Sequence, residues 1–240
     1  MTAPLGGHVA LVTGAGRGIG RAIAVQLARA GCAVAALART GSELKETAAE
    51  AAQDPAAGQV LPLATDITRD ANLEHAVRVI IERLGRITVL VNNASFAPPR
   101  STVLKTSLAD WDRTLATCLR APMVLTRLVL PDMLAHSSGT IVNLAPIAGQ
   151  RGRAGEAPYA AAKFGLLGFT QSLFDEVRAH GIKVTAIVPR RMSTDQLSAA
   201  DSTRALRPHD IAAAVLQVVT APPGACPAEI VLEPLHAPEA

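Results

Sequence analysis

The sequence predicts an α/β protein built on one doubly wound parallel sheet with helices on both faces. Short apolar runs alternate with longer amphipathic segments over 240 residues, which fits a single domain spanning 1–240 with an ordered core of about 6–234. Of the whole chain, 49% is hydrophobic and only 2% aromatic. A core of Ala, Val, Leu and Ile suits strands that are buried on both faces.

Each strand is predicted from a short apolar run bounded by turn residues. In chain order the predicted strands are His8–Thr13, Ala33–Ala38, Gln59–Ala64, Val89–Asn92, Thr140–Leu144, Lys183–Val188 and Glu229–Leu232. Each helix is predicted from a longer segment with helical spacing of its apolar residues. The predicted helices are Gly18–Ala30, Ser42–Gln53, Asp70–Leu84, Leu108–Leu134, Ala157–His180 and Pro208–Val219. Right-handed crossovers between successive strands then give a parallel sheet.

Composition excludes several classes of protein. No apolar run approaches the roughly 18 residues that span a bilayer, and Met1–His8 lacks the basic and apolar parts of a signal peptide. The cysteines are few, odd in number and far apart, at Cys32, Cys118 and Cys226. They indicate a reducing, cytoplasmic location and no metal site. The net charge of +3 is scattered, so no nucleic-acid partner is expected.

A glycine-rich turn connects the first strand to the first helix. From Thr13 to Gly20 the chain reads Thr-Gly-Ala-Gly-Arg-Gly-Ile-Gly. Gly14, Gly18 and Gly20 lack Cβ atoms, so the backbone can bend sharply and approach a pyrophosphate. The start of the next helix adds unpaired N–H groups and the positive end of its dipole. A plain strand-to-helix loop is the alternative, but strand, turn and helix together favour phosphate binding.

The ends of the second and third strands indicate which dinucleotide binds. An NAD site usually carries an acidic residue after the second strand, where this chain reads Ala38-Arg39. Arg39, together with Arg17 in the glycine turn, is suited to a 2′-phosphate, although both arginines can also be simply solvated. These features predict NADP(H). Asp66, just after the third strand, can accept from the adenine amino group or cap the following helix.

The only tyrosine of the chain lies four residues before a lysine on a predicted helix. Tyr159 and Lys163 therefore share a helix face. A free tyrosine ionises at about pH 10, and a neighbouring ammonium favours the ionised form. The pair is typical of a proton donor at neutral pH. A surface tyrosine and lysine on an alanine-rich helix is the alternative.

Three motifs, in this order, resemble the short-chain dehydrogenase/reductase family: Thr13-Gly14-x-x-x-Gly18-x-Gly20, Asn92-Asn93-Ala94 and Tyr159-x-x-x-Lys163. The resemblance extends from His8 to about Pro234. It implies a single Rossmann-fold domain of about seven strands, usually assembled as a tetramer. It also implies that Tyr159 protonates a substrate carbonyl as hydride arrives from the nicotinamide. The expected cofactor-binding residues are Thr13, Gly14, Arg17, Gly18, Ile19, Gly20, Arg39, Asp66, Ile67, Asn93, Ala94, Tyr159, Lys163, Pro189 and Thr194.

Three positions depart from the family pattern. The carbonyl-orienting serine falls on Pro146, which has neither a hydroxyl nor an N–H. The asparagine of the family's proton relay, seven residues after Trp111, falls on Cys118. Ser95 stands where the family has glycine, directly after the fourth strand. Ser95 is therefore the nearest candidate for a substitute donor.

The segment after the sixth strand also differs. It reads Pro189-Arg190-Arg191-Met192-Ser193-Thr194, where the family has Pro-Gly-x-x-x-Thr. Thr194 is expected to contact the nicotinamide carboxamide. Arg190 and Arg191 either bind an anionic group of the substrate or are solvated. The residues expected on the substrate side are thus Ser95, Pro146, Arg190 and Arg191.

Three functions remain open from the sequence. The first is NADPH-dependent reduction of a carbonyl, favoured because Tyr159 and Lys163 are both present. The second is a redox-neutral reaction on the same scaffold, such as a cyclisation, dehydration or isomerisation. The third is an inactive NADP(H)-binding protein. In each case a homo-oligomer, tetramer or dimer, is expected, because Leu108–Leu134 and Ala157–His180 are apolar on more than one face.

Overall fold

The computed structural model describes residues 4–146, 149–190 and 205–235. Its strands are β1 (Val9–Thr13), β2 (Ala33–Ala38), β3 (Val60–Ala64), β4 (Val89–Asn92), β5 (Gly139–Leu144), β6 (Ile182–Pro189) and β7 (Glu229–Leu232). They form one sheet of seven strands in the order β3-β2-β1-β4-β5-β6-β7. Every adjacent pair is parallel. The predicted single domain with a doubly wound parallel sheet is confirmed.

Helices cover both faces of the sheet. They are α1 (Gly18–Arg29), α2 (Gly41–Ala51), α3 (Asp70–Leu84), α4 (Leu108–Leu115), α5 (Ala121–Ala135), α6 (Ala157–Val177) and α7 (Pro208–Thr220). The two hydrophobic cores follow from the alternation of side chains along β1. Ala10 and Val12 pack with residues of α1, α2 and α7. Val9 and Leu11 pack with α3, α5 and α6 on the other face, because successive strand residues point to opposite sides.

The predicted continuous helix Leu108–Leu134 is wrong in one respect. A π-helical turn, Ala116–Arg120, separates α4 from α5. The sequence offers a physical reason, because Pro122 has no N–H to donate to the carbonyl of Cys118 four residues earlier. The regular hydrogen-bond pattern is therefore broken there, and Cys118 lies in the wider π turn.

The predicted helix Ala157–His180 is largely confirmed. Its α-helical part ends at Val177, and Arg178–His180 forms a 3₁₀ turn before Gly181 reverses the chain in a left-handed conformation. No helix in the described ranges is long and apolar enough to cross a membrane.

The order of strands creates a switch point between β1 and β4. The chain moves outward from β1 through β2 to β3, and then returns to the other side of β1 to form β4. The segments that leave these two strands therefore diverge to opposite faces. The crevice that opens outside their carboxyl ends is the position at which sheets of this kind bind ligands.

Candidate functional site

A cleft of about 980 Å³ lies at this switch point. Its volume is at the upper end of the range of about 300–1,000 Å³ found for small-molecule sites. The walls come from the glycine turn, the ends of β2, β3 and β4, and one face of α4. The lining residues are Gly14, Gly16, Arg17, Gly18, Ile19, Gly20, Leu37, Ala38, Arg39, Thr40, Glu43, Thr65, Asp66, Ile67, Thr68, Asn93, Ala94, Ser95, Phe96, Arg113, Thr117 and Pro208.

The glycine turn has the geometry that its sequence predicts. Gly14 has φ +67° and Gly18 has φ +57°, both in the region that favours glycine. A Cβ at Gly20 would overlap the carbonyl oxygen of Gly14, whereas a Cβ at Gly18 would meet no atom within 4 Å. Helix α1 has no side-chain cap and no acidic residue in its first turn. Its free N–H groups and positive dipole end therefore suit an anion.

Thr13 and Asn93 stabilise this turn through hydrogen bonds. Thr13 Oγ1 accepts hydrogen bonds from the backbone N–H groups of Asn93 and Ala94, both at 3.0 Å. Asn93 Nδ2 donates to the carbonyl oxygen of Thr13 at 2.8 Å. The bonds tie the end of β4 to the glycine turn across the switch point. Cofactor contacts of these residues remain a prediction, while their structural role is visible.

Two arginines and two carboxylates line the end of the cleft near β2 and β3. Arg17 and Arg39 are exposed, and neither has an ion pair within the described ranges. Glu43 was not anticipated from the sequence; a Cβ at Gly16 would lie 2.8 Å from Glu43 Oε2. This carboxylate limits the positive charge around the glycine turn, so Arg39 becomes the more important candidate for a 2′-phosphate.

Asp66 does not cap α3, whose N-cap is Arg69. Instead, Asp66 Oδ1 accepts from the backbone N–H of Thr68 at 3.0 Å and from Thr68 Oγ1 at 2.7 Å. These two hydrogen bonds lower the pKa of the Asp66 carboxyl, and the charges of Arg69 and Arg39 add to the effect. Asp66 thus stays ionised and presents a carboxylate to the cleft, next to the nearly buried Ile67.

The other end of the site contains the predicted Tyr–Lys pair on α6. Lys163 is only 1% exposed, and its Nζ donates to the carbonyl oxygen of Leu144 at 2.9 Å. The same Nζ lies 5.7 Å from the centre of the Tyr159 ring. Tyr159 Oη lies 3.4 Å from Ser95 Oγ. Because Ser95 lines the cleft, this contact joins the pair to the cleft although neither member of the pair is a lining residue.

The positions predicted to depart from the family pattern have defined surroundings. Pro146 follows β5, and its carbonyl oxygen accepts from the N–H of Gly149 at 2.7 Å. Cys118 is fully buried, and its Sγ accepts from the backbone N–H of Phe96 at 3.3 Å. The same sulfur lies 3.5 Å from Ser95 Oγ. The structure therefore brings Cys118, Ser95 and Tyr159 into one chain of contacts.

The segment after β6 is only partly described. Pro189 ends β6 and is buried. Arg190 forms an ion pair with Glu233, with 3.0 Å between Nε and Oε1, and does not line the cleft. Arg191 and Thr194 lie outside the described residues.

Sequence reasoning missed part of the wall, contributed by α4 and by the π turn that follows it. Arg113 and Thr117 are four residues apart and face the cleft together, and the Arg113 guanidinium lies 4.0 Å from the centre of the Phe96 ring. Their helical spacing was a usable signal, but nothing in the sequence fixes which face of α4 meets the cleft. No cluster of three potential metal ligands occurs within the described ranges.

The family model for short chain dehydrogenases matches residues 8–205. The 3-oxoacyl-[acyl-carrier-protein] reductase FabG of Vibrio cholerae is 34% identical over 195 residues, covering 81% of this chain and 78% of that protein. FabG of Pseudomonas aeruginosa is 38% identical over 193 residues, covering 80% and 76%.

Two solved structures are also similar to this chain. A metagenomic short-chain oxidoreductase in complex with NADP superposes with a TM-score of 0.87 at 33% identity, covering 97% of this chain and all of that one. Levodione reductase superposes with a TM-score of 0.87 at 27% identity, covering 95% and 96%.

Proposed function

The chain belongs to the short-chain dehydrogenase family, and we propose that it reduces ketones with NADPH through an active site that departs from the family's usual one. The observation that carries the proposal is the 3.4 Å contact between Tyr159 Oη and Ser95 Oγ. This contact places Tyr159, the proposed proton donor, at the edge of the cleft. Pro146 itself has no group that can donate a hydrogen bond to the substrate.

The cofactor is NADP(H). The similar metagenomic oxidoreductase is in complex with NADP, and the cleft of this chain fits such an anion. The first turn of α1 has no acidic residue, and the space beside Gly18 is open where a Cβ would stand. Arg17 and Arg39 supply the positive charge at the rim that a 2′-phosphate requires.

When bound, NADPH supplies the hydride that reduces the carbonyl carbon. Tyr159 holds a proton at Oη and gives it to the carbonyl oxygen, so that a ketone becomes an alcohol. Lys163 is anchored on the Leu144 carbonyl, and its charge favours the tyrosinate left by that transfer. The absence of one oxyanion donor at Pro146 is expected to cost roughly 10²–10³ in rate. Such an enzyme is slow but still active.

The relatives suggest where to look for a substrate. Two of them are 3-oxoacyl-[acyl-carrier-protein] reductases, whose names give a 3-oxoacyl substrate, an acyl group with a ketone at its third carbon. We therefore place 3-oxoacyl thioesters first among the ketones to be tested. Levodione follows, because levodione reductase is similar in structure to this chain.

We also propose a homo-oligomer, tetramer or dimer, in the cytoplasm. Phe164 on α6 is 46% exposed and Met123 on α5 is 43% exposed. Large apolar side chains on two neighbouring helices are typical of a surface that a second copy covers. The three cysteines are free, which agrees with a reducing compartment.

Pro146 favours a second candidate, a redox-neutral reaction such as a cyclisation, dehydration or isomerisation. A ketone reductase is slower with proline at this position, because one hydrogen-bond donor to the carbonyl is missing. Tyr159 can still act as an acid or base in a reaction that transfers protons and no net hydride. An inactive NADP(H)-binding protein is the remaining alternative. Neither of these two alternatives requires a hydrogen-bond donor that orients a substrate carbonyl.

The test is NADPH oxidation against a panel of ketones that includes 3-oxoacyl thioesters, beside a direct titration of NADPH binding. The proposal predicts binding and slow turnover with at least one ketone, with an alcohol as the product. Binding without oxidation across the panel would overturn ketone reduction and leave the redox-neutral and inactive alternatives.

A further inference from the structure

Ser95 contacts the half-buried Tyr159 on the solvent side of the site. Ser95 is exposed, and its Oγ is placed to donate to Tyr159 Oη at 3.4 Å. This separation is long for an O–H···O hydrogen bond, but catalytic hydrogen bonds are often long without ligands and shorten in the reacting complex. A glycine, the residue that the family pattern has here, offers no hydroxyl. The contact therefore depends on the hydroxyl of Ser95.

The other polar neighbours of Tyr159 are buried. Lys163 is 1% exposed, and its Nζ is bonded to the Leu144 carbonyl. Cys118, at the position of the relay asparagine, is fully buried and its sulfur is held by the backbone of Phe96. A thiol is also a weak hydrogen-bond donor. Of these three neighbours, only Ser95 is exposed to water.

We propose that Ser95 is the proton relay that returns a proton from solvent to Tyr159 after each turnover, an inference that rests on the proposed ketone reduction. The O–H bond of Tyr159 breaks as the carbonyl oxygen takes its proton, and the electron pair stays on the phenolate. Ser95 then gives its Oγ proton to the phenolate. In the same concerted step a solvent hydronium ion, or a water that leaves as hydroxide, gives a proton to Ser95 Oγ, so one solvent proton is consumed for each alcohol formed.

The first test reads the tyrosine directly and needs no substrate. The chain contains one tyrosine, so the tyrosinate absorbance band reports Tyr159 alone. The variants Ser95→Val and Ser95→Thr carry side chains of nearly the same shape as each other, and only threonine keeps a hydroxyl. Because only the Val variant lacks the hydroxyl that contacts Oη, the tyrosinate absorbance curves of the two variants should differ, and the Thr curve should match wild type.

Other charged groups do not distort this comparison, because both variants retain them. The titratable or charged side chains that both variants retain on the surrounding elements include Lys163 and Glu156 on α6 and at its start, Cys118 in the π turn and Arg113 on α4. Arg100 is paired with Glu156. Equal titration curves for the Val and Thr variants would overturn the contact, and with it the relay.

The second test separates a relay from a carbonyl-orienting role. The enzyme–NADPH complex is mixed with a ketone, and the first turnover is compared with the steady state. A relay is needed only after the first proton has left, so Ser95→Val should lower the steady-state rate by about tenfold or more and the first turnover by much less. Ser95→Thr should recover most of the steady-state rate.

Failure of the relay can be distinguished from failure of the proposed function. An equal loss in the first turnover and in the steady state would overturn the relay and assign Ser95 to the carbonyl. An unchanged steady state in Ser95→Val would also overturn it. If wild type binds NADPH but oxidises it with no ketone, the proposed function and the relay that rests on it both fail, even if the titration shows the hydrogen bond.

Discussion

Gly18→Ala is the sharpest test of the cofactor cradle. Gly18 has φ +57°, and its added Cβ would meet no atom within 4 Å, so the substitution costs backbone strain without a clash. That strain is about 1–2 kcal/mol, and the lower entropy of the unfolded chain offsets about 0.4–1 kcal/mol of it. The net loss of about 1 kcal/mol corresponds to a melting temperature lower by about 2–4 °C for a chain of this size.

NADPH binding should suffer much more than stability, because the methyl group would occupy the space in which the pyrophosphate approaches the backbone. We expect the dissociation constant to rise at least tenfold, or about 1.4 kcal/mol, measured by calorimetric titration. Gly7→Ala is the matched control, since Gly7 also has a positive φ and open space but does not line the cleft. Wild-type affinity in Gly18→Ala would refute the assignment of the glycine turn to phosphate binding.

Three further predictions concern the cofactor, the altered residues and the assembly. Arg39→Asp should reverse the preference for NADPH over NADH, because it removes a phosphate partner and adds repulsion; equal affinity of wild type for both dinucleotides would contradict this. Pro146→Ser should raise ketone reduction by about tenfold, or about 1.4 kcal/mol, and Cys118→Asn should act in the same direction. If neither variant nor the double variant gains activity while NADPH binding is intact, the proposal that Pro146 slows a ketone reductase would be rejected. Light scattering at micromolar concentration should give the mass of a dimer or tetramer, and a monomer mass would exclude the oligomer.

The fold was predictable because its signals are local and repeated. The apolar runs of β1 to β7 and the glycine turn at Gly14–Gly20 lie where the alternating pattern places them. The break in the long helix was missed because helical periodicity continues across it. Pro122 was the available signal, since a proline inside a helical pattern removes one hydrogen bond. Its effect is to hold Cys118 in a π turn.

The candidate site was predictable only in part. Tyr159 and Lys163 were found from their spacing, and Ser95 from its position after β4. Contacts between distant parts of the chain were not predictable, since they depend on packing. The link from Ser95 to Cys118 and the placement of Glu43 beside Gly16 are examples. A sequence shows which residues follow a strand, but not which side chains meet across the cleft.

The central claim is that Tyr159 protonates a ketone that receives hydride from NADPH. It is tested most directly with NADPH carrying deuterium at the transferable position, by measuring deuterium in the alcohol formed by wild type and by Tyr159→Phe. The account predicts one deuterium at the carbinol carbon with wild type, and a rate lower by about 10²-fold or more in the variant with NADPH binding retained. An alcohol without deuterium, or a variant that keeps most of its rate, would contradict it.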